Sequence, residues 1–178
     1  MGSLQRTHLN LRSSGADTGR VPREYLFATD AGRVYAETEG RGPPVLIAGG
    51  GPGVGHSHYH PWFSALADRF TVVYMDYPGT GRSEGFDDPA SYSIAGYADA
   101  IETVRAGLAA DWLFLIGISF GGLPAIEYAL RHRHGLRGLV MSNAQLSAAT
   151  WQQGNIDNVN AAMRQQFPER WEQIVALR

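Results

Sequence analysis

From Glu24 to Ser142 two textures of apolar residues alternate along the chain. Short unbroken apolar runs bounded by Gly, Pro, Asp or Asn read as strands. Longer stretches with apolar residues every three or four positions read as helices. Glu24–Thr29 and Arg33–Glu39 flank a tight turn at Asp30-Ala31-Gly32 and predict a hairpin. Further strands are predicted at Pro43–Ala48, Phe70–Met75, Trp112–Ile116 and Leu136–Ser142. Between them, Tyr59–Arg69 puts Trp62, Phe63, Leu66 and Ala67 on one helical face. Ile94, Tyr97, Ala98, Ile101, Val104 and Leu108 predict an amphipathic helix over Ser93–Ala109, and Phe120–Arg131 predicts another.

After the hairpin, strands and helices alternate, which predicts an α/β fold: a mostly parallel sheet with helices on both faces. The strands are apolar throughout rather than alternating, as burial of both sheet faces requires. Beyond Asn143 the rhythm stops. Residues 147–178 are rich in Gln, Asn and Ala, with Trp151, Met163, Phe167, Trp171 and Ile174, and predict one or two helices broken at Pro168. The expected organisation is a flexible polar tail over 1–22, an α/β core over 23–146 and the beginning of a helical cap or lid over 147–178.

Composition narrows the chemistry. The chain has 178 residues, 44% of them hydrophobic and 18% charged, enough to bury a core. Fifteen basic residues balance 17 acidic ones and no basic stripe stands out, which excludes nucleic acid as a partner. No apolar run reaches the roughly 18 residues that span a bilayer, and residues 1–20 hold no apolar signal core. These features lead to the expectation of a soluble cytoplasmic protein with no membrane partner. There is no cysteine, so disulfides, thiolate metal sites and a cysteine nucleophile are excluded. All the basic residues are Arg. A phosphate-binding or Schiff-base lysine is therefore absent as well.

The sharpest local pattern is Gly117-Ile118-Ser119-Phe120-Gly121, followed by Gly122. It stands directly after one predicted strand and directly before a helix, the strand–elbow–helix setting of a nucleophilic serine. Small residues flank the serine because backbones pass closely there. The helix N-terminus behind it favours a developing oxyanion. The Gly-rich run Gly49-Gly50-Gly51-Pro52-Gly53 follows another strand, where its N–H groups can face an anion. A dinucleotide-binding turn is the alternative, but the G-x-G-x-x-G spacing fails: His56 and Val54 stand where the third glycine would fall. Asp76-Tyr77-Pro78-Gly79-Thr80-Gly81-Arg82-Ser83 reads as a tight loop shaped by Asp76 and braced by Arg82 and Ser83, rather than as the source of a catalytic acid. His56, His58 and His60 alternate without a neighbouring carboxylate or cysteine. They read as pocket-lining histidines rather than metal ligands, and no metal or cofactor is expected.

Together these motifs resemble the first half of an α/β-hydrolase of the proline iminopeptidase (prolyl aminopeptidase) group. The resemblance rests on Gly50-Gly51-Pro52-Gly53, on the D-x-x-G-x-G-x-S turn at Asp76–Ser83, and on the elbow continuing as Gly121-Gly122-Leu123-Pro124-Ala125-Ile126-Glu127-Tyr128. It covers about residues 25–150. Gly49 stands where the group usually has His, and Ile118 and Phe120 stand where it usually has His and Trp. The resemblance implies a serine hydrolase acting on a small amide or peptide N-terminus. It implies Ser119 as nucleophile, the backbone N–H groups of Gly51 and Phe120 as oxyanion hole, and Gly50, Pro52 and Tyr59 beside the substrate. Relatives of the group cleave other amides, esters or lactones, so an esterase or lactonase is the alternative. A non-catalytic binding protein on the same fold is another. The group's triad acid and histidine lie later than the cap opening. Asn143 follows the strand after the elbow helix, where some α/β-hydrolases carry the acid. The expected partner is the C-terminal remainder of the enzyme, as a second chain supplying His and Asp or Glu. Trp171, Ile174, Val175 and Leu177 form an apolar stretch for it to cover, and the sheet edge at Leu136–Ser142 awaits pairing.

Overall fold

The computed structural model describes residues 8–10, 22–29, 32–86, 88–144, 146–147, 149, 154 and 157–176. Asp30, Ala31, Trp151, Leu177 and most of the 1–22 tail lie outside the described residues. Among the described residues seven strands form one sheet: β1 (His8–Asn10), β2 (Arg23–Thr29), β3 (Gly32–Gly40), β4 (Pro44–Ala48), β5 (Thr71–Met75), β6 (Leu113–Ile118) and β7 (Leu136–Ser142). Their spatial order is β1-β2-β3-β5-β4-β6-β7. The first three are antiparallel, and β3 meets β5 antiparallel. β5, β4, β6 and β7 run parallel. β1 was not foreseen. Within the stretch expected to be a flexible tail, Leu9 pairs opposite Leu26, along the edge of β2 away from β3.

Helix α1 (Ile94–Gly107) begins at Ser93, whose Oγ accepts the Gly96 N–H at 3.0 Å. It buries Tyr97, Ala98, Ile101 and Val104. Helix α2 (Gly122–Arg131) buries Pro124, Ala125 and Tyr128. Both helices pack into one apolar cluster with Leu46, Val73, Leu113 and Leu115 from the sheet. Each fully buried aliphatic side chain there contributes about 1.5–3 kcal/mol.

The opposite face departs from the expectation of helices on both sides. The predicted helix at Tyr59–Arg69 is instead two short 3₁₀ turns, His56–Tyr59 and Ser64–Leu66. Pro61 is the third residue of that segment and holds His60 before it in extended backbone, at φ −86° and ψ 143°, so the turn at His56–Tyr59 does not run on into Ser64–Leu66. Phe63, Leu66, Ala67 and Phe70 still cover Val45, Ile47, Val72 and Tyr74, but Trp62 points outward with 77% of its surface exposed. The thinner cover leaves a period of two in β6: Leu113, Leu115 and Gly117 are buried, whereas Phe114, Ile116 and Ile118 are half-buried.

The chain divides into two compact units, 1–144 and 145–178. The second holds α3 (Asp157–Gln166) and α4 (Pro168–Ala176). The break falls at Pro168, which opens α4, where its missing N–H would be unpaired in any case. No helix of the described residues is long and apolar enough to cross a membrane.

Candidate active site

The connections from β4 diverge. The chain leaves β4 for β5 on one side, then returns past β4 to build β6 on the other. In open α/β sheets such a reversal opens a crevice at the carboxyl ends of the strands. The Gly-rich loop leaves β4 into that crevice, and the elbow leaves β6 beside it.

β6 delivers the chain to Ser119, whose φ of 52° is left-handed backbone for a residue with a side chain. Such a conformation costs roughly 1–2 kcal/mol and persists only where the surroundings impose it. The imposing contact is at Gly121. A methyl group there would lie 2.0 Å from the Ala48 carbonyl oxygen, so only glycine lets the elbow seat against the end of β4. The turn 119–121 runs straight into α2. Its leading N–H groups have no partner within the turn. The Phe120 ring packs edge-on with Tyr77 and Tyr97, at centroid separations of 6.5 and 6.0 Å. Among the described residues the Ser119 hydroxyl has no hydrogen-bond partner.

Loop and elbow touch: a methyl group on Gly50 would lie 3.1 Å from Ser119 Cβ. Gly50 is buried, whereas Gly51 and Pro52 are exposed at the loop crest. Gly51 has a φ of 122°. Tyr59 underlies the loop. Its ring is pressed on Gly49, where a methyl group would come within 2.5 Å of the ring. Its hydroxyl accepts the Gly50 N–H. Burial pushes the Tyr59 phenol above its ordinary pKa, against the opposing pull of the Gly50 hydrogen bond. The Tyr59 ring also excludes a side chain at 49, which accounts physically for glycine where the resembled group has His.

The neighbouring loop, after β5, is held by a cluster that sequence reasoning only half recognised. Asp76 is fully buried. Its carboxylate accepts the His56 N–H at 2.6 Å, His56 Nδ1–H at 2.8 Å and the Arg82 N–H at 2.7 Å. Ser83 Oγ donates to the Asp76 carbonyl at 2.7 Å and accepts the Tyr35 N–H at 2.8 Å. Asp76 therefore shapes this turn, braced by Arg82 and Ser83 as expected. His56 Nε2 lies 3.5 Å from Glu37, and His60 Nε2 pairs with the same carboxylate. Arg82 stacks over Tyr35 at 4.1 Å and pairs with Glu24.

The electrostatics follow. Burial alone would lower the His56 pKa, but hydrogen bonds to Asp76 and Glu37 raise it to about 9. Burial alone would raise Glu37, but hydrogen bonds from His56 and Tyr35, with the His56 charge, hold it at about 2. Asp76 is likewise held low by His56 and Arg82 against its burial. With both ring nitrogens engaged by carboxylates, His56 is a structural imidazolium and not a proton acceptor for Ser119. His56 thus belongs to the scaffold rather than to a pocket lining. His132 and His134 pair with Asp99 and Glu102 near the α2 C-terminus. Among the described residues no group of three or more His, Cys, Asp or Glu could hold a metal ion. The ionic partners of His56 were not legible as a motif, because Glu37 lies on a distant strand.

Residues 43–177 match the alpha/beta hydrolase fold family. The chain is 32% identical over 115 residues to a proline iminopeptidase of Chitinophaga pinensis, covering 62% of this chain and 38% of that protein. It is 34% identical over 100 residues to the putative carbamate hydrolase RutD of Serratia proteamaculans, covering 56% of this chain and 37% of that protein. The chain thus spans about two-fifths of the length of these curated relatives. Among solved structures, the N-acyl homoserine lactonase AidH superposes with a TM-score of 0.67 at 29% identity, over 74% of this chain and 48% of that one. A proline iminopeptidase-related protein of Thermus thermophilus superposes with a TM-score of 0.69 at 20% identity, over 85% and 59%, and shares the fold.

Proposed function

The chain belongs to the alpha/beta hydrolase fold family, and on that premise we propose that it is the nucleophile-bearing part of a serine hydrolase. The observation that carries this reading is Ser119, held at a φ of 52° on a strand-to-helix elbow with its Cβ against Gly50 of the glycine loop.

In this reading Ser119 Oγ attacks a substrate carbonyl carbon and forms a C–O bond. The hydroxyl proton passes to a histidine base, and the carbonyl π pair moves onto oxygen. The Gly51 and Phe120 N–H groups stabilise that oxyanion. Collapse expels the leaving group with the proton returned by the base, and water then hydrolyses the acyl-serine by the same steps. The base and its orienting acid are assigned to polypeptide outside these 178 residues, as a continuation or a companion chain, consistent with the greater length of the relatives. β7 is the last strand of the sheet order on that side, with Val140 55% exposed, and supports pairing there with a further strand. α3 and α4 are read as the opening of a cap.

The favoured substrate is a small amide or a peptide N-terminus, supported by the iminopeptidase and carbamate hydrolase relatives. Lactone or ester hydrolysis is the second reading, supported by the 29% identity to the lactonase. A fluorophosphonate probe applied to the complete protein tests the reaction class. It should modify the tryptic peptide 106–131 at Ser119, and Ser119→Ala should abolish the label. Absence of label at Ser119 would refute the serine hydrolase. Comparing aminoacyl arylamides with acyl lactones at equal concentration then separates the substrate readings.

A further inference from the structure

We infer that the Tyr59 hydroxyl is a third hydrogen-bond donor to the oxyanion formed at Ser119, which makes Tyr59 a catalytic residue. The inference rests on Ser119 being the nucleophile.

The geometry converges on one spot. The carbon position that lies 3.1 Å from Ser119 Cβ also lies 3.4 Å from the Tyr59 hydroxyl oxygen. The two side chains therefore border the same small volume at the foot of the glycine loop. The phenol oxygen already accepts the Gly50 N–H, yet its own proton has no acceptor among the described residues. A hydroxyl that accepts from an amide is polarised and becomes a better donor. Burial keeps the phenol protonated at neutral pH, so the proton is there to be shared.

The ring is held before any substrate arrives. It lies on Gly49, with His58 edge-on at 5.5 Å and Phe63 at 6.5 Å. A donor fixed in this way needs no reorganisation as charge develops. It binds the oxyanion more strongly than the neutral carbonyl, which is the condition for lowering the barrier. No proton is transferred: the Tyr59 O–H bond persists, and the hydrogen bond shortens as the carbonyl oxygen gains charge.

Three variants of the complete protein test this. Tyr59→Phe keeps the ring on Gly49 and removes the hydroxyl. It should lower kcat roughly 100-fold while changing KM less than about 3-fold. Gly49→Ala retains the phenol but crowds the ring off its seat, and should lower kcat in the same way. The third variant replaces Tyr59 with 3-fluorotyrosine, assayed at pH 6.5, where the phenol is still protonated. The fluorine makes the hydroxyl a better donor and a poorer acceptor. Donation to the oxyanion therefore raises kcat even as Tm falls, whereas a phenol serving only to hold Gly50 lowers both. Parental kcat in Tyr59→Phe, or a 3-fluorotyrosine enzyme no faster than the parent, overturns the inference. Endpoint labelling of Ser119 by fluorophosphonate separates the two claims. A parent that labels while Tyr59→Phe turns over normally loses only the Tyr59 assignment, and a parent that never labels loses the nucleophile itself.

Discussion

The loops after β4 and β5 leave adjacent parallel strands, and they treat their polar groups in opposite ways. After β5, Asp76 is buried and its carboxylate accepts three hydrogen bonds, two from backbone N–H groups and one from the His56 ring. Its partners are themselves bonded onward, His56 to Glu37 and Arg82 to Glu24. After β4, glycines present backbone rather than side chains, and the Ser119 hydroxyl beside them has no partner among the described residues. A buried charge left unpaired costs several kcal/mol, so the first loop is closed to further ligands. Groups left unpaired at the edge of a crevice remain available to a substrate. If Ser119 is the nucleophile, as proposed, charge density does not mark the site in this molecule. The ionic cluster around Asp76 is scaffold, and the proposed chemistry is placed where hydrogen-bonding capacity among the described residues is unspent.

The largest expected effect tests the open loop. Ser119→Ala in the complete protein should lower kcat by roughly 10⁴–10⁶-fold with an unchanged circular dichroism spectrum. A steady-state assay giving turnover within tenfold of the parent would remove the chemistry from this loop altogether.

Asp76→Ala tests the closed loop. It strands the His56 imidazolium and leaves buried N–H groups unsatisfied, and should cost about 3–5 kcal/mol in urea unfolding. A loss below 1 kcal/mol would mean that the cluster is not what holds the two loops together.

The pH dependence of stability sharpens the contrast. His56 binds its proton more tightly when folded, so its contribution is complete below its ordinary pKa of 6.5 and is lost as pH rises through about 9. That loss is on the order of 3 kcal/mol. Glu37 and Asp76 act in the opposite sense. Their contribution is present above the ordinary carboxylate range and disappears as pH falls towards the Glu37 value of about 2. Stability should therefore be greatest between the two limbs. His56→Gln should flatten the alkaline limb while lowering stability at pH 6. Chemical denaturation at intervals from pH 5 to 10 reads this, and an alkaline limb of parental depth in the variant would exclude His56 as its source.

The smallest effect is a gain. Ser119→Gly relieves the left-handed strain at a φ of 52° and should raise stability by about 1 kcal/mol while turnover is lost. A thermal melt showing a lower Tm would mean that the elbow carries no strain at Ser119.

Much of the fold was legible because the relevant physics is local. The strand at Leu136–Ser142, the start of α1 at Ser93 and the break at Pro168 follow from apolar spacing, a side-chain cap and a missing N–H. The elbow was legible for the same reason, since glycine spacing and a strand-to-helix junction lie within a dozen residues. The reading failed at Tyr59–Arg69, where the apolar spacing is helical, yet the backbone makes only short turns on either side of Pro61, which keeps His60 extended. It failed too at β1, whose three residues form a strand only because β2 offers an edge.

By itself, then, the sequence determined the α/β alternation, the serine elbow and the glycine loop, each encoded by neighbours along the chain. Three things were decided only by the tertiary structure. Gly50 meets Ser119 because β4 and β6 are adjacent strands, although about 70 residues of sequence separate them. Asp76, His56 and Glu37 become one buried ionic unit because β3 pairs with β5. Tyr59 lies on Gly49 because the segment folds back across the end of its own strand. Each is a long-range juxtaposition set by strand order and register, which depend on how the whole sheet buries its apolar faces and not on any local run of residues.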